Sequence, residues 1–396
     1  MSKSITNQKL YGLVAGLMSL LLMAFVATPA QAQMDDGELP KVDIGGAVSS
    51  DAQAIIVDEF SGETYDTALG FNRVSAQILT NVQFSENVSG YMEISSETEE
   101  STDFQRTQPT IDFVYVNVNV AENLMVQAGT PGIGISNFPR WSDGALVQGN
   151  PLVGNSVAQT GTAGNGGVKL IGSYPSFGFD LTLTRGFSGG LDVNSGKTKG
   201  TTGIDIYGKA RYTGADIFNL GAGVAFATGN KNLQITGGDG DYYNVPDPVN
   251  IGGLGSGFSN HPSLPGDFMF QVDGEVTPGA LSANAALGYG SESADTNAGI
   301  DAAAIFGVLG AKYDVSDNFF VAGRFSAVSD QSDYDNEPDN TLMNRFQLGV
   351  GYTYEAAMLK LEYANQSQTD EDDGQFAFAN QNRNWQAITA QFSVAF

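Results

Sequence analysis

The sequence predicts an all-β chain: a transmembrane antiparallel up-and-down β-barrel of about sixteen strands, with short turns at one mouth and long loops at the other. Three observations predict it. Segments of about ten residues alternate apolar with small or polar side chains, short and long connections alternate along the chain, and all 13 prolines fall in the N-terminal region or in connections. The last is expected where every central strand must donate to its ladder.

The final segment shows the alternation best. Ile388, Ala390, Phe392, Val394 and Phe396 form one face, and Thr389, Gln391, Ser393 and Ala395 the other, a period of two that belongs to strands. Phe346, Leu348, Val350, Tyr352 and Tyr354 alternate likewise with Arg345, Gln347, Gly349, Gly351 and Thr353. Alternation alone also fits a soluble sandwich, whose polar faces meet water. In a membrane barrel the apolar face meets lipid and the polar face a wet interior.

The connections separate the two. Strands are predicted over 42–58, 69–84, 88–97, 110–120, 124–130, 166–174, 178–187, 203–212, 217–228, 267–276, 281–290, 301–314, 319–329, 342–354, 358–366 and 384–396. Every second connection is a tight turn, such as Ser85-Glu86-Asn87, Ala121-Glu122-Asn123, Pro175-Ser176-Phe177 and Glu355-Ala356-Ala357. The others are longer and rich in Gly, Asp, Asn and Ser. A barrel with two unlike mouths requires this pattern and a sandwich does not. On pattern alone the first span fits one strand or a hairpin, and the fifth is short. Tyr91, Tyr115, Tyr174, Tyr212, Tyr289, Tyr313, Tyr352 and Tyr354 fall near strand ends, where interfacial girdles lie.

Ahead of the strands, Lys3 and Lys9 precede an apolar run from Leu10 to Val26, followed by Thr28-Pro29-Ala30-Gln31-Ala32-Gln33. A basic start, an apolar centre and an A-x-A site predict a secretory signal over residues 1–32, cleaved after Ala32; an uncleaved anchor helix is the alternative. Residues 33–396 then form one barrel. Formal charge is −26, and residues 1–32 hold two lysines and no acid. The exported part is therefore more acidic still, which argues against nucleic-acid binding. With no cysteine, disulfides, thiolate metal sites and cysteine nucleophiles are excluded.

A signal peptide, about sixteen alternating strands and a last strand Gln391-Phe392-Ser393-Val394-Ala395-Phe396 ending on an aromatic resemble the Gram-negative general porins. The resemblance covers nearly all of residues 33–396 in architecture and rests on pattern rather than on a long motif. It implies a bacterial outer-membrane homotrimer among lipid and lipopolysaccharide, whose water-filled channel passes small hydrophilic solutes by passive diffusion, with no cofactor and no enzymatic activity. It also implies that Phe396 belongs to the signal read by the barrel-assembly machinery. A plugged, non-conducting barrel serving as adhesin or structural surface protein is the alternative, kept open by the long fifth loop over 229–266.

The third loop, 131–165, is too long for a plain connection. In general porins the loop at this ordinal position folds inward and narrows the pore. Here Phe138 and Trp141 need a surface to pack on, and Asp143, beside Arg140, is its only acid. The family's loop presents several carboxylates, so the usual transverse acid–base field is in doubt. Packing outside the barrel, or against a neighbouring subunit, is the other reading of this loop.

Setting the apolar face outward turns Arg73, Gln77, Glu93, Lys169, Asp180, Asp205, Lys209, Arg211, Asp273, Glu275, Arg324, Arg345, Lys360 and Glu362 inward. A Lys or Arg on the lipid face costs about 2–4 kcal/mol near the midplane. Arg185 breaks parity and is expected above the lipid or beyond a bulge. Glycines on one face, as at Gly221 and Gly223, read as strand packing. Acids crowd the second, seventh and eighth loops, notably Glu97, Glu99, Glu100 and Asp103, then Asp330, Asp333, Asp335, Glu337 and Asp339, then Asp370 to Asp373. Their potential enriches cations at one mouth, which predicts weak cation selectivity against the opposing basic wall of Arg73, Lys169, Lys209 and Arg211 facing the third loop. No calcium-loop spacing or zinc cluster is present, and the single histidine, His261, lies between Asn260 and Pro262 in a Gly-rich loop, which does not hold it as a base against a serine.

Overall fold

The structure is a computed structural model that describes residues 39–57, 68–98, 109–137, 145–147, 152, 166–185, 204–215, 217–227, 268–292, 302–331, 342–368 and 384–396. The described residues form sixteen strands and no helix: β1 (Lys41–Val57), β2 (Ala68–Ser85), β3 (Val88–Thr98), β4 (Thr110–Ala121), β5 (Leu124–Gly129), β6 (Gly167–Tyr174), β7 (Phe177–Arg185), β8 (Ile204–Tyr212), β9 (Phe218–Ala227), β10 (Phe268–Val276), β11 (Leu281–Glu292), β12 (Ala302–Asp314), β13 (Phe319–Asp330), β14 (Leu342–Tyr354), β15 (Ala357–Gln368) and β16 (Trp385–Ala395). Each pairs antiparallel with its neighbours in the chain, and β1 pairs with β16 to close the barrel. Every strand end lies within two residues of the position the alternation predicts. β1 is one strand rather than a hairpin, and β5 is six residues long.

Closure is sealed at the last residue. Phe396 N donates to Gly46 O at 2.9 Å and Gly46 N returns a bond to Phe396 O at 2.9 Å. The Phe396 ring lies over Gly46, where a Cβ would strike it. Tight turns join alternate strands; at Glu355-Ala356 the glutamate takes φ 52°, the left-handed geometry that a two-residue hairpin needs.

The outer face carries the apolar alternates. Ile44, Leu220, Leu287, Leu309, Leu348 and Ile388 are each more than half exposed. A continuous aliphatic band of this kind would drive aggregation in water and is matched to lipid. Tyr174, Phe177, Tyr212, Phe218, Tyr313, Phe319 and Tyr352 are exposed at the short-turn rim, and Phe226, Phe268, Phe270 and Tyr289 nearer the other.

Two expectations change, and one alternative is decided. Tyr91 and Tyr115 are not girdle residues: register puts them on the inner face, stacked at 5.0 Å with Tyr91 Oη donating to Glu93 at 2.6 Å. Tyr91 shares the inward parity of Glu93, and Tyr115 alternates with Val114 and Val116, so parity rather than nearness to a strand end decides their side. Asp330 is not part of the acidic loop; it ends β13, buried and opposite Ala304. Arg185 ends β7, whose pairing to β8 runs without a bulge, so its parity break is a strand-end position.

Candidate functional site

The interior is built by the return of the third loop into the barrel. Thr130 turns the chain after β5, its N donating to Val114 O at 2.8 Å and its Oγ1 accepting from Val114 N at 2.6 Å. From Pro131 to Ile135 the loop is buried. Ile133 and Ile135, with Leu152 further on, pack against Tyr207, Ala225, Met269, Phe306, Val328 and Met343 from the inner faces of β8, β9, β10, β12, β13 and β14. Gly221 and Gly223 of β9 make this possible. A side chain at Gly223 would collide with the Ile135 carbonyl, and one at Gly221 with Asn137 and Asp273. These glycines seat the loop rather than a neighbouring strand, which corrects the packing role that their spacing suggests.

Polar anchors fix it at three places. Asp273 accepts from Asn137 N at 2.6 Å and from Asn137 Nδ2 at 3.0 Å. Lys209 Nζ donates to Ser136 O at 3.2 Å. Further along, Val147 N donates to Glu362 at 2.6 Å, Lys360 Nζ to Leu146 O at 3.2 Å, and Leu152 N to Ser326 Oγ at 3.0 Å. Leu146 and Ala145 lie with Phe320 and Ala322 in a second apolar contact. The described parts of the loop therefore line the arc from β8 to β15, inside the barrel rather than outside it.

The predicted wall residues divide into separate groups. Lys169 and Lys209 are buried and Arg211 is half-buried beside Asp180, with Lys209 at 3.4 Å and Arg211 at 3.7 Å from its carboxylate. Arg324 and Arg345 lie buried on the far arc. Arg324 Nε donates to Gln347 at 2.9 Å; Arg345 donates to Gln366 at 2.9 and 2.7 Å and sits 5.3 Å from the Trp385 ring. Gln347 in turn donates to Glu362 at 3.2 Å. Glu93 stands apart on β3, accepting from Tyr91 and Gln77. Arg73 occupies β2 opposite Asp51 of β1, four strands around the wall from Lys169 and six from Lys209 and Arg211, so the basic wall of four expected from sequence is three plus one. The side chain of Arg73, and the whole of Phe138, Arg140, Trp141, Asp143 and His261, lie outside the described residues.

The inner apolar patch went unpredicted. Its signal was present in Phe268-Met269-Phe270, Ile305-Phe306, Phe319-Phe320 and Leu342-Met343, where both alternates are apolar. Such pairs mark strands covered on both faces.

No protein-family model and no curated protein matches the sequence. Among solved structures the chain is similar to an anion-selective porin from Comamonas acidovorans, at TM-score 0.57 and 10% identity, over 90% of this chain and 100% of that one. It is similar to the outer membrane channel DcaP of Acinetobacter baumannii, at TM-score 0.56 and 15% identity, over 91% and 99%. A trimer form of OmpT, an outer membrane protein of Vibrio cholerae, matches at TM-score 0.56 and 12% identity, over 91% and 100%. At such identities the likeness shows the fold alone: this chain is a closed sixteen-stranded barrel of the porin-like kind.

Proposed function

We propose that the protein is a bacterial outer-membrane channel through which small hydrophilic solutes and ions diffuse passively, with no enzymatic step. One observation carries the reading. The described parts of the loop are pinned to the β8–β15 arc, while the inner faces of β2–β4 opposite them, with Ser75, Gln77, Glu93 and Asn117, are polar and half-exposed. A one-sided inward loop facing a hydrated polar wall leaves a path beside the loop. On this reading Phe138, Arg140, Trp141 and Asp143 line that path with Glu93 and Arg73, Lys169 and Arg211 border it, and Asp273, Arg324, Arg345 and Lys209 hold its shape. Residues 1–32 are removed on export, the barrel-assembly machinery inserts the chain among lipid and lipopolysaccharide, and three copies associate.

The dry patch formed by Ile133, Ile135, Leu152, Met269 and Phe306 favours the second reading, a plugged barrel with a surface role. Single-channel recording of folded protein in planar bilayers separates them: discrete open levels are expected, and a silent, fully folded barrel would favour the plug.

Phe396 serves as an assembly signal in this account as well as a seal. Its backbone makes the bonds to Gly46 whatever the side chain. Phe396→Ala is therefore expected to refold in detergent with near-normal β content, yet to accumulate poorly in the outer membrane of cells. Equal loss in both settings would reduce its role to packing.

Weak cation preference is proposed to arise at the long-loop mouth. Asp333, Asp335, Glu337 and Asp339 act through solvent, where the Debye length is about 10 Å at 0.1 M salt. Reversal potentials in a potassium chloride gradient should show cation preference that fades at high salt and in a variant neutralising these four. Asp330 is left out because it is buried in β13. Unchanged selectivity in that variant at low salt would sink the mouth-charge account.

A further inference from the structure

We propose that the inner wall beneath the third loop holds a binding site for a small oxyanion, formed by Lys169 of β6 with Lys209 and Arg211 of β8. Register brings them together. Lys209 lies directly opposite Asp180 of β7, Arg211 opposite Gly178, and Lys169 opposite Thr182, one inward step from Asp180. Gly178 lets the guanidinium lie flat on the wall, since a Cβ there would strike Arg211 Nε.

The charges do not balance. Three cations surround one carboxylate, which Lys209 and Arg211 approach at 3.4 and 3.7 Å. Lys169 is only 3% exposed, yet among the described residues no hydrogen bond or ion pair reaches its ammonium. A buried cation is stable only when paired or hydrogen-bonded, and like charges beside it worsen its position. An oxyanion removes the imbalance. It would meet the Lys169 ammonium, a free donor of Lys209, whose one hydrogen bond goes to Ser136 O, and the planar donor fork of Arg211, which suits carboxylate and phosphate geometry.

The site also has an entrance. Exposure rises from Lys169 at 3% through Lys209 to the Arg211 side chain at 29%, so an anion first meets Arg211 and then moves inward. Phosphate and the carboxylate of a small acid share the chemistry required. This local site is distinct from the mouth acids, which act over a longer range. It rests on the channel reading only for the supply of solute; binding itself needs no conduction.

The test uses full-length protein folded in detergent at low ionic strength, with inorganic phosphate as probe and acetate in a parallel arm, read by equilibrium dialysis. Saturable binding of one phosphate per chain is expected. Lys169→Met and Arg211→Gln should each weaken it about tenfold or more, with Lys169→Arg retaining it. Lys312→Gln, which removes a cation already paired with Asp314 at 2.8 Å, should leave it unchanged. Far-ultraviolet circular dichroism confirms that each variant is a folded barrel. Stronger binding of acetate than phosphate would assign the site to carboxylate solutes and supports it equally. No saturable binding of either anion, or undiminished binding in both Lys169→Met and Arg211→Gln, overturns the proposal. A barrel that binds phosphate but does not conduct ends the channel reading and leaves the site standing; one that conducts without binding does the reverse.

Discussion

Gly223→Val is expected to lift the third loop from its wall and enlarge the conductance. A Cβ at this position would fall on the Ile135 carbonyl, which is backbone and cannot rotate aside. Either the strand or the loop must move. β9 is bonded along its length to β8 and β10, whereas the loop near Ile135 rests on side chains and a few polar anchors, so the loop yields. Overpacking of this kind costs about 1–3 kcal/mol. Displacement adds the loss of burial at Ile133, Ile135 and Leu152, each worth up to about 1.5–3 kcal/mol. Together these exceed what one anchor contributes. The measurable result is a higher single-channel conductance, faster entry of larger sugars into proteoliposomes, and easier trypsin cleavage at Arg140, with β content unchanged. If conductance and cleavage both stay at wild-type levels, Gly223 is not the seat of the loop.

Removing the two carboxylate anchors should have a comparable effect by a different route. Asp273 accepts two bonds from Asn137 and one from Gln271, and Glu362 accepts from Val147 N. A hydrogen bond to a charged group contributes about 1.5–3 kcal/mol, and Asp273→Ala or Glu362→Ala also strands loop donors in a dry place. Because both anchors hold one segment, their losses should not add: the first mutation already loosens what the second releases. A double-mutant cycle read by labelling a single cysteine introduced at Gln148, clean because the chain has no cysteine of its own, would measure this coupling. Strictly additive labelling rates would mean that the anchors hold independent segments.

How far the sequence could be read varied with the kind of interaction involved. Strands of nine to eighteen residues such as β2, β14 and β16 were legible because lipid on one side and water or polar groups on the other impose a period of two on every spanning segment. Inward parity was legible for Lys169, Asp180, Lys209, Asp273 and Glu362 for the same reason. Tyr91 and Tyr115 share inward parity with Glu93 and Asn117, and nearness to a strand end is the weaker guide there.

The grouping of inward residues was beyond reach of the sequence. Asp180 and Arg211 are separated by about thirty positions yet lie 3.7 Å apart, whereas Arg73, equal to Arg211 in parity, stands on β2 beside Asp51. Alternation determined which side of the wall each residue takes, because that depends only on its neighbours along one strand. Which residues meet inside depended on barrel closure and on where the third loop comes to rest. Those contacts, from Asn137 to Asp273 and from Val147 to Glu362, span sequence separations over which local pattern carries no information, so only the tertiary structure decided them.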